Sequence, residues 1–243
     1  MVEILHNSLP PDLQPDRPLP GVQPLAADGW LSVDEAYAAQ MAYRRKLLRS
    51  KREEVLWFMP EASDAVSELF HTALSLMPAL GFGISTRHIF CPDGAEVDRD
   101  ADHGLAVLGA SFQQDLCIMQ KLGDEHVLTA AVLCFPASWR LSEKAGRPLT
   151  AIHNPVDSYD AALAKRVQRL FDGVQPGRPL RRNNFLYYAD PDLFQPRSEV
   201  GAVRERPEPG IGYIRAERQC IVRLPKTAAV VFSIHSFVVR QNG

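Results

Sequence analysis

Cysteine is scarce and scattered in this 243-residue chain: Cys91, Cys117, Cys134 and Cys220 form no C-x-x-C pair. That pattern excludes a zinc ribbon, an iron–sulfur ligand set of the usual kind and a disulfide framework, and it fits a reducing compartment. Neither sign of charge is in excess, since 27 Lys and Arg against 29 Asp and Glu leave a formal charge of -2. Nothing in that balance calls for nucleic acid as a partner. No strictly apolar run approaches the ~20 residues of a membrane span. The opening "MVEILHNSLPPD" has no basic stretch leading into an apolar one, so no secretory signal is expected and a soluble, cytoplasmic protein is the default. Also missing are a G-x-G-x-x-G after a strand and a Walker loop. The chain is therefore not expected to hold a nicotinamide nucleotide by itself. What is present is an ordinary globular balance, 46% hydrophobic and 23% charged, in a chain long enough to bury a core.

Residues 1–29 carry six of the prolines between Pro10 and Pro24 and read as an extended arm, leaving residues 30–243 as one domain. Ser32 and Glu35 have the spacing of a capping box, opening a helix that keeps Tyr37, Met41, Leu48 and Val55 on one side. Its second half holds Arg44, Arg45, Lys46, Arg49, Lys51 and Arg52. Cations suit the C-terminal end of a helix dipole, so these predict a solvated face, with a docking patch for an acidic partner as the alternative. Val66, Leu69, Phe70, Ala73, Leu74 and Met77 mark a second helix after Pro60. Past Gly83 the chain turns to short strands. "HVLTAAVLCF" (His126 to Phe135) is apolar on both alternating faces and predicts a strand covered on two sides. Ser138 is placed to cap a short helix, Asp157 or Ser158 a longer one through Leu170, and "FLYY" (Phe185 to Tyr188) is a strand. Helices followed by a mostly antiparallel sheet make an α+β layout.

Two long alternating strands close the chain around Pro225-Lys226-Thr227. A three-residue turn there sets even positions opposite even ones. Arg218 then stands alone on an apolar face with Ile214, Ala216, Cys220 and Val222, and Glu217 lies across from His235 on the other. A buried arginine is costly unless something anionic or strongly polar meets it. The alternatives are a carboxylate at the sheet edge or a slipped register that moves Arg218 to the surface.

The run "CFPASWRLSEKAGRPLTAIHNPV" (Cys134 to Val156), preceded by "QQDLCIM" and followed by "DPDLFQP" and "RAERQCIVRLPKTAAVVFSIHSFV", resembles the haem-dependent oxidative N-demethylase alpha-subunit-like family. The likeness extends from roughly Pro24 to Val239. It implies a PAS-like fold, an antiparallel sheet that encloses haem b with flanking helices. It implies oxygen-dependent removal of a methyl group from a small secondary amine such as dimethylamine, releasing formaldehyde. Electrons would come from a separate flavin and iron–sulfur reductase using NADPH, consistent with a chain that lacks both kinds of site.

Haem iron takes an axial donor, most often a neutral imidazole. Of the seven histidines, His153 is singled out because Pro155 restricts Asn154 to extended geometry and the family-like motif surrounds it. Arg140, Lys144 and Arg147 are candidate partners of the haem carboxylates, with solvated surface charge as the alternative, and Trp139 is a candidate apolar wall. Arg218 is expected to polarise oxygen opposite His153. Glu217 and His235 are the second choice, as acid–base or amine-orienting groups should the other hairpin face line the pocket. The competing reading is a haem-binding PAS module that senses oxygen or redox state without turnover, and beyond it a descendant that has lost haem.

Overall fold

The computed structural model describes residues 2–13, 21–153, 161–199, 207–208 and 210–241, with the backbone alone at 153 and 161–164. Its main element is a seven-stranded antiparallel sheet. In spatial order the strands are β1 (Gln23–Pro24), β8 (Leu180–Tyr188), β9 (Tyr213–Arg223), β10 (Val230–Arg240), β6 (Asp115–Leu122), β7 (Glu125–Val132) and β2 (Leu56–Phe58). A smaller sheet joins β3 (Gly83–Ile84), β4 (His88–Phe90) and β5 (Glu96–Asp98). Helices α1 (Tyr37–Ser50), α2 (Arg52–Val55), α3 (Ser63–Leu76) and α4 (Gly104–Ser111) precede most of the large sheet. Helices α5 (Leu141–Lys144), α6 (Leu149–His153) and α7 (Ala161–Gly173) connect β7 to β8. This is the expected α+β class, and its large antiparallel sheet with flanking helices is compatible with a PAS-like fold. Among the described residues no helix is long and apolar enough to cross a membrane.

Strict alternation along the strands sends apolar residues to both faces, so both are covered. On the back face Leu116, Ile118, Ala130, Val132, Cys220, Val222 and Val231 share a core with Met41, Leu47, Val66, Leu69, Leu105 and Leu108 of α1, α3 and α4. Helix α4 approaches β7 so closely at Gly109 that a Cβ there would lie 2.4 Å from Val132 Cγ2. On the front face Cys117, Met119, Leu128, Ala131, Ile221 and Val230 pack with Leu141, Leu149 and Phe171. Trp57, Trp139, Ile152, Val167, Leu170, Leu180 and Phe232 surround them.

Several local expectations are corrected. Ser32 caps nothing: α1 starts at Tyr37 without a side-chain cap, and Ser32 Oγ instead lies 2.8 Å from Nδ1 of His235. Ser138 has φ 65 and contacts the Tyr188 hydroxyl, and α5 begins only at Leu141. The caps expected at Asp157 or Ser158 lie outside the described residues. Arg44 is not solvated but fully buried, its guanidinium bound to Asp115 and to the carbonyls of Gly109, Gln113 and Gln114.

The hairpin register is also corrected. Leu224 N donates to Ala229 O, so the turn holds four residues, Pro225 to Ala228, with Ala228 at φ 56. Helix α3 clamps it, since Glu68 accepts the Lys226 and Thr227 amides and the Thr227 hydroxyl. The extra residue reverses the parity: His235 lies opposite Arg218, and Glu217 opposite Ser236. The arm packs against the structure as well. Ile4 and Leu13 are buried, His6 N donates to Val238 O at 2.8 Å, and β1 pairs with β8.

Candidate functional site

The corrected register sorts the polar residues of the closing strands by face. Glu217, Gln219 and Arg215 join Ile221 on the front, and β8 adds Arg182 opposite Gln219 and Asn184 opposite Glu217. Arg215, 1% exposed, is the buried arginine that the sequence argument sought at Arg218. It donates to the carbonyls of Leu193 and Phe135 and to Ser236 Oγ. Its Nε lies 3.4 Å from Glu217 Oε1. Glu217 Oε2 accepts from Asn184 at 3.1 Å and Gln219 at 2.9 Å. A buried carboxylate is thus held at one oxygen by two amides and faces a guanidinium with the other.

Arg182 completes this strip. Burial pulls its guanidinium below the ordinary arginine range, while the charge of Glu217 acts in the opposite sense. Arg182 is half-buried and makes no ion pair among the described residues. The sequence signal for it was the alternation Leu180, Arg182, Asn184, Leu186 in β8, which extends "FLYY" five residues upstream.

The segment from Trp139 to His153 borders the same face. Trp139 and Ile152 pack on the front core. Lys144 is buried and donates to the Ile152 carbonyl and to Glu199, and Arg147 is 3.8 Å from Glu199, whereas Arg140 is exposed. Lys144 therefore fixes the turn of backbone next to His153. His153 ends α6, and its side chain lies outside the description. On the front face His126 is buried against Phe171, with Gln168 at Nδ1 and no partner at Nε2 among the described residues. Burial lowers its pKa.

Arg218 and His235 face the opposite way. Arg218 pairs with Asp12 of the arm at 2.7 Å and lies over the Phe237 ring. His235 belongs to a buried group with His6 and Asp34 whose ligand-type atoms all lie within 4.8 Å of one another. That composition would suit a metal, but the ring protons argue otherwise. Nδ1 of His6 accepts the Val238 N–H, which leaves the proton on Nε2, 3.0 Å from Asp34 Oδ2. Nδ1 of His235 is 2.7 Å from Gln114 Nε2, and that amide nitrogen also donates to the Ser32 carbonyl, an acceptor only. Nδ1 of His235 is thus an acceptor too, and its Nε2–H sits 2.9 Å from the same Asp34 oxygen, though poorly aligned with it. Metal-bound imidazoles donate through their second nitrogen, whereas both of these accept. Burial works against the Asp34 carboxylate, yet the two rings and Gln113 outweigh it and hold it below the ordinary range.

The model of the family described as "Haem-dependent oxidative N-demethylase, alpha subunit-like" matches residues 21–241, nearly the whole chain.

Proposed function

We propose, starting from the fact that this chain belongs to the haem-dependent oxidative N-demethylase alpha-subunit-like family, that it binds haem b on the front face of the sheet and removes a methyl group from a small secondary amine such as dimethylamine. Residues 30–243 act as the haem-binding domain and residues 1–29 as its arm. The observation that carries the reading is the strip of Glu217, Asn184, Gln219, Arg215 and half-buried Arg182 beside the apolar wall of Trp139, Ile152 and Phe232. A flat apolar macrocycle with two carboxylates requires that combination, a dry wall and a guanidinium beside it.

Bound haem would supply oxygen activation and one-electron chemistry. His153 would hold the haem iron, and Lys144, bound to the preceding carbonyl, would fix the backbone beside it. Arg182 would meet a haem carboxylate, and Trp139 would supply an apolar wall. Arg140 remains at the rim. Lys144 and Arg147 are engaged by Glu199 and serve the pocket through that pair. Glu217 accepts an N–H of the amine and sets its orientation, with Asn184 and Gln219 keeping the carboxylate from turning. The reading gives Arg218 and His235, behind the sheet, no part in the pocket. Electrons come from a partner, a flavin and iron–sulfur reductase using NADPH, and the cytoplasm is the proposed setting.

Titration with haemin under an absorption readout tests this. His153→Ala should abolish or shift the Soret band, while His126→Ala leaves it in place. Arg182→Gln should weaken haem binding by about tenfold or more, because a hydrogen bond to a charged group is worth ~1.5–3 kcal/mol. Loss of the band in His126→Ala but not in His153→Ala would transfer the ligand to β7. No haem uptake by the wild type would end the reading.

A further inference from the structure

The strand β6 pairs with β10 only as far as Asp115 opposite Ile234. From His235 to Arg240 that edge of β10 is not covered by the sheet, and the arm lies along it. Among the described residues one backbone bond holds the arm there, His6 N to Val238 O, and one side-chain bond, Val238 N to His6 Nδ1. A single histidine therefore satisfies both backbone groups of Val238, and it does so only while Nδ1 carries no proton.

We infer that His6 is a proton-sensitive latch: gain of a proton at Nδ1 detaches the arm around residues 2–9 from β10 and opens the strand's free edge. An N–H on Nδ1 would point at the Val238 N–H, so donor would face donor and the bond that anchors the arm is lost. Asp34 offers little new attraction in return. Its oxygens already receive the Ala36 amide, Gln113 and the two imidazole nitrogens. Among the charged groups around the pair, Arg218 of β9 lies opposite His235, and both it and His6 work against a charge on the His235 ring. The remaining charges tie other points of the arm, Asp12 to Arg218 and Arg181, Glu3 to Arg240, and Glu35 to the Asn7 amide. Phe237 stacks on the His235 ring at 4.4 Å, and Ser32 and Gln114 complete its surroundings.

His235 reinforces the sense of the switch. Burial lowers its pKa, with the Asp34 contact opposing, so the ring is bound neutral. A folded-state value below the unfolded one means that its contribution is complete above about pH 6.5 and is lost as the pH falls below it. Acid thus loosens the cluster from both rings. The inference is independent of haem and of the front face.

Amide hydrogen exchange on the full chain, corrected for intrinsic rates, tests it between about pH 8 and about pH 5. Protection of the His6 and Val238 amides should fall about tenfold or more in acid, while Ile118 and Ala130 in the sheet keep theirs. In His6→Asn the side-chain oxygen can still accept the Val238 N–H but cannot be protonated, so the protection of these amides should fall much less steeply with pH than in the wild type, by the share that His235 contributes. Equal protection of the wild-type arm at both pH values would overturn the inference. So would a His6→Asn arm that is lost as steeply as the wild-type one. Increased arm protection on adding zinc at about pH 8 would also overturn it, because both Nε2 atoms would then be ligands rather than N–H donors.

Discussion

Replacing Asp115 by asparagine would leave the Arg44 guanidinium buried without a counter-charge. Arg44 NH1 lies 2.6 Å from Asp115 Oδ1, and the same carboxylate accepts the amides of Cys134 and Phe135 where β7 gives way to the family-like motif. Asp115→Asn should therefore cost about 3–5 kcal/mol in urea unfolding, the usual penalty for orphaning a buried charge. Arg44→Met combined with it should recover part of that loss, and strict additivity of the two would show that the pair is not coupled. The role of Arg44 could not be read from its surroundings in the chain. Six cations in the C-terminal half of one helix look alike, and the carboxylate that distinguishes one of them is 71 residues away. The same applies to Arg215 and Arg218: both were visible as charges in an apolar strand, but the carbonyls of Phe135 and Leu193 that enclose one and the Asp12 carboxylate that meets the other come from distant parts of the chain. Glu217 was legible as a polar residue on the hairpin, and its amide partner on β8 was not.

At the scale of elements, alternation and stripe were reliable guides. The α3 stripe, the two-sided burial of β7 and the long closing strands all follow from periodicity. Boundaries and register failed where a distant group intervened: Glu68 on α3 fastens the β9–β10 turn from 158 residues away, and His235 claims the serine that would have capped α1. The contact of α4 with β7 yields a second prediction. Gly109→Ala would drive a methyl into Val132, and overpacking of this kind costs about 1–3 kcal/mol. Thermal unfolding should register it as a fall of several degrees. Gly109→Ala with Val132→Ala should restore part of the loss, since the clash is with one Cγ2 atom; a single variant as stable as the wild type would mean that α4 moves aside freely.

For the whole molecule, the family match and the α+β class cover nearly the entire chain, whereas the sorting of the site onto one face needed the three-dimensional register. A chain ending at Pro225 would test how far the sheet depends on its centre. It should fail to give a cooperative melting transition, and a sharp transition near that of the full chain would show that β6 and β9 can close without β10. The order β1-β8-β9-β10-β6-β7-β2 has a consequence for synthesis. The fourth of seven strands in space is the last of them to be translated, and its partner β6 is made more than a hundred residues earlier. Until β10 leaves the ribosome, the nascent sheet exists as two halves with raw edges facing each other across a missing strand. Its slow, non-local closure is then deferred until β10 has been made, and the interval before it is when chaperones are needed most.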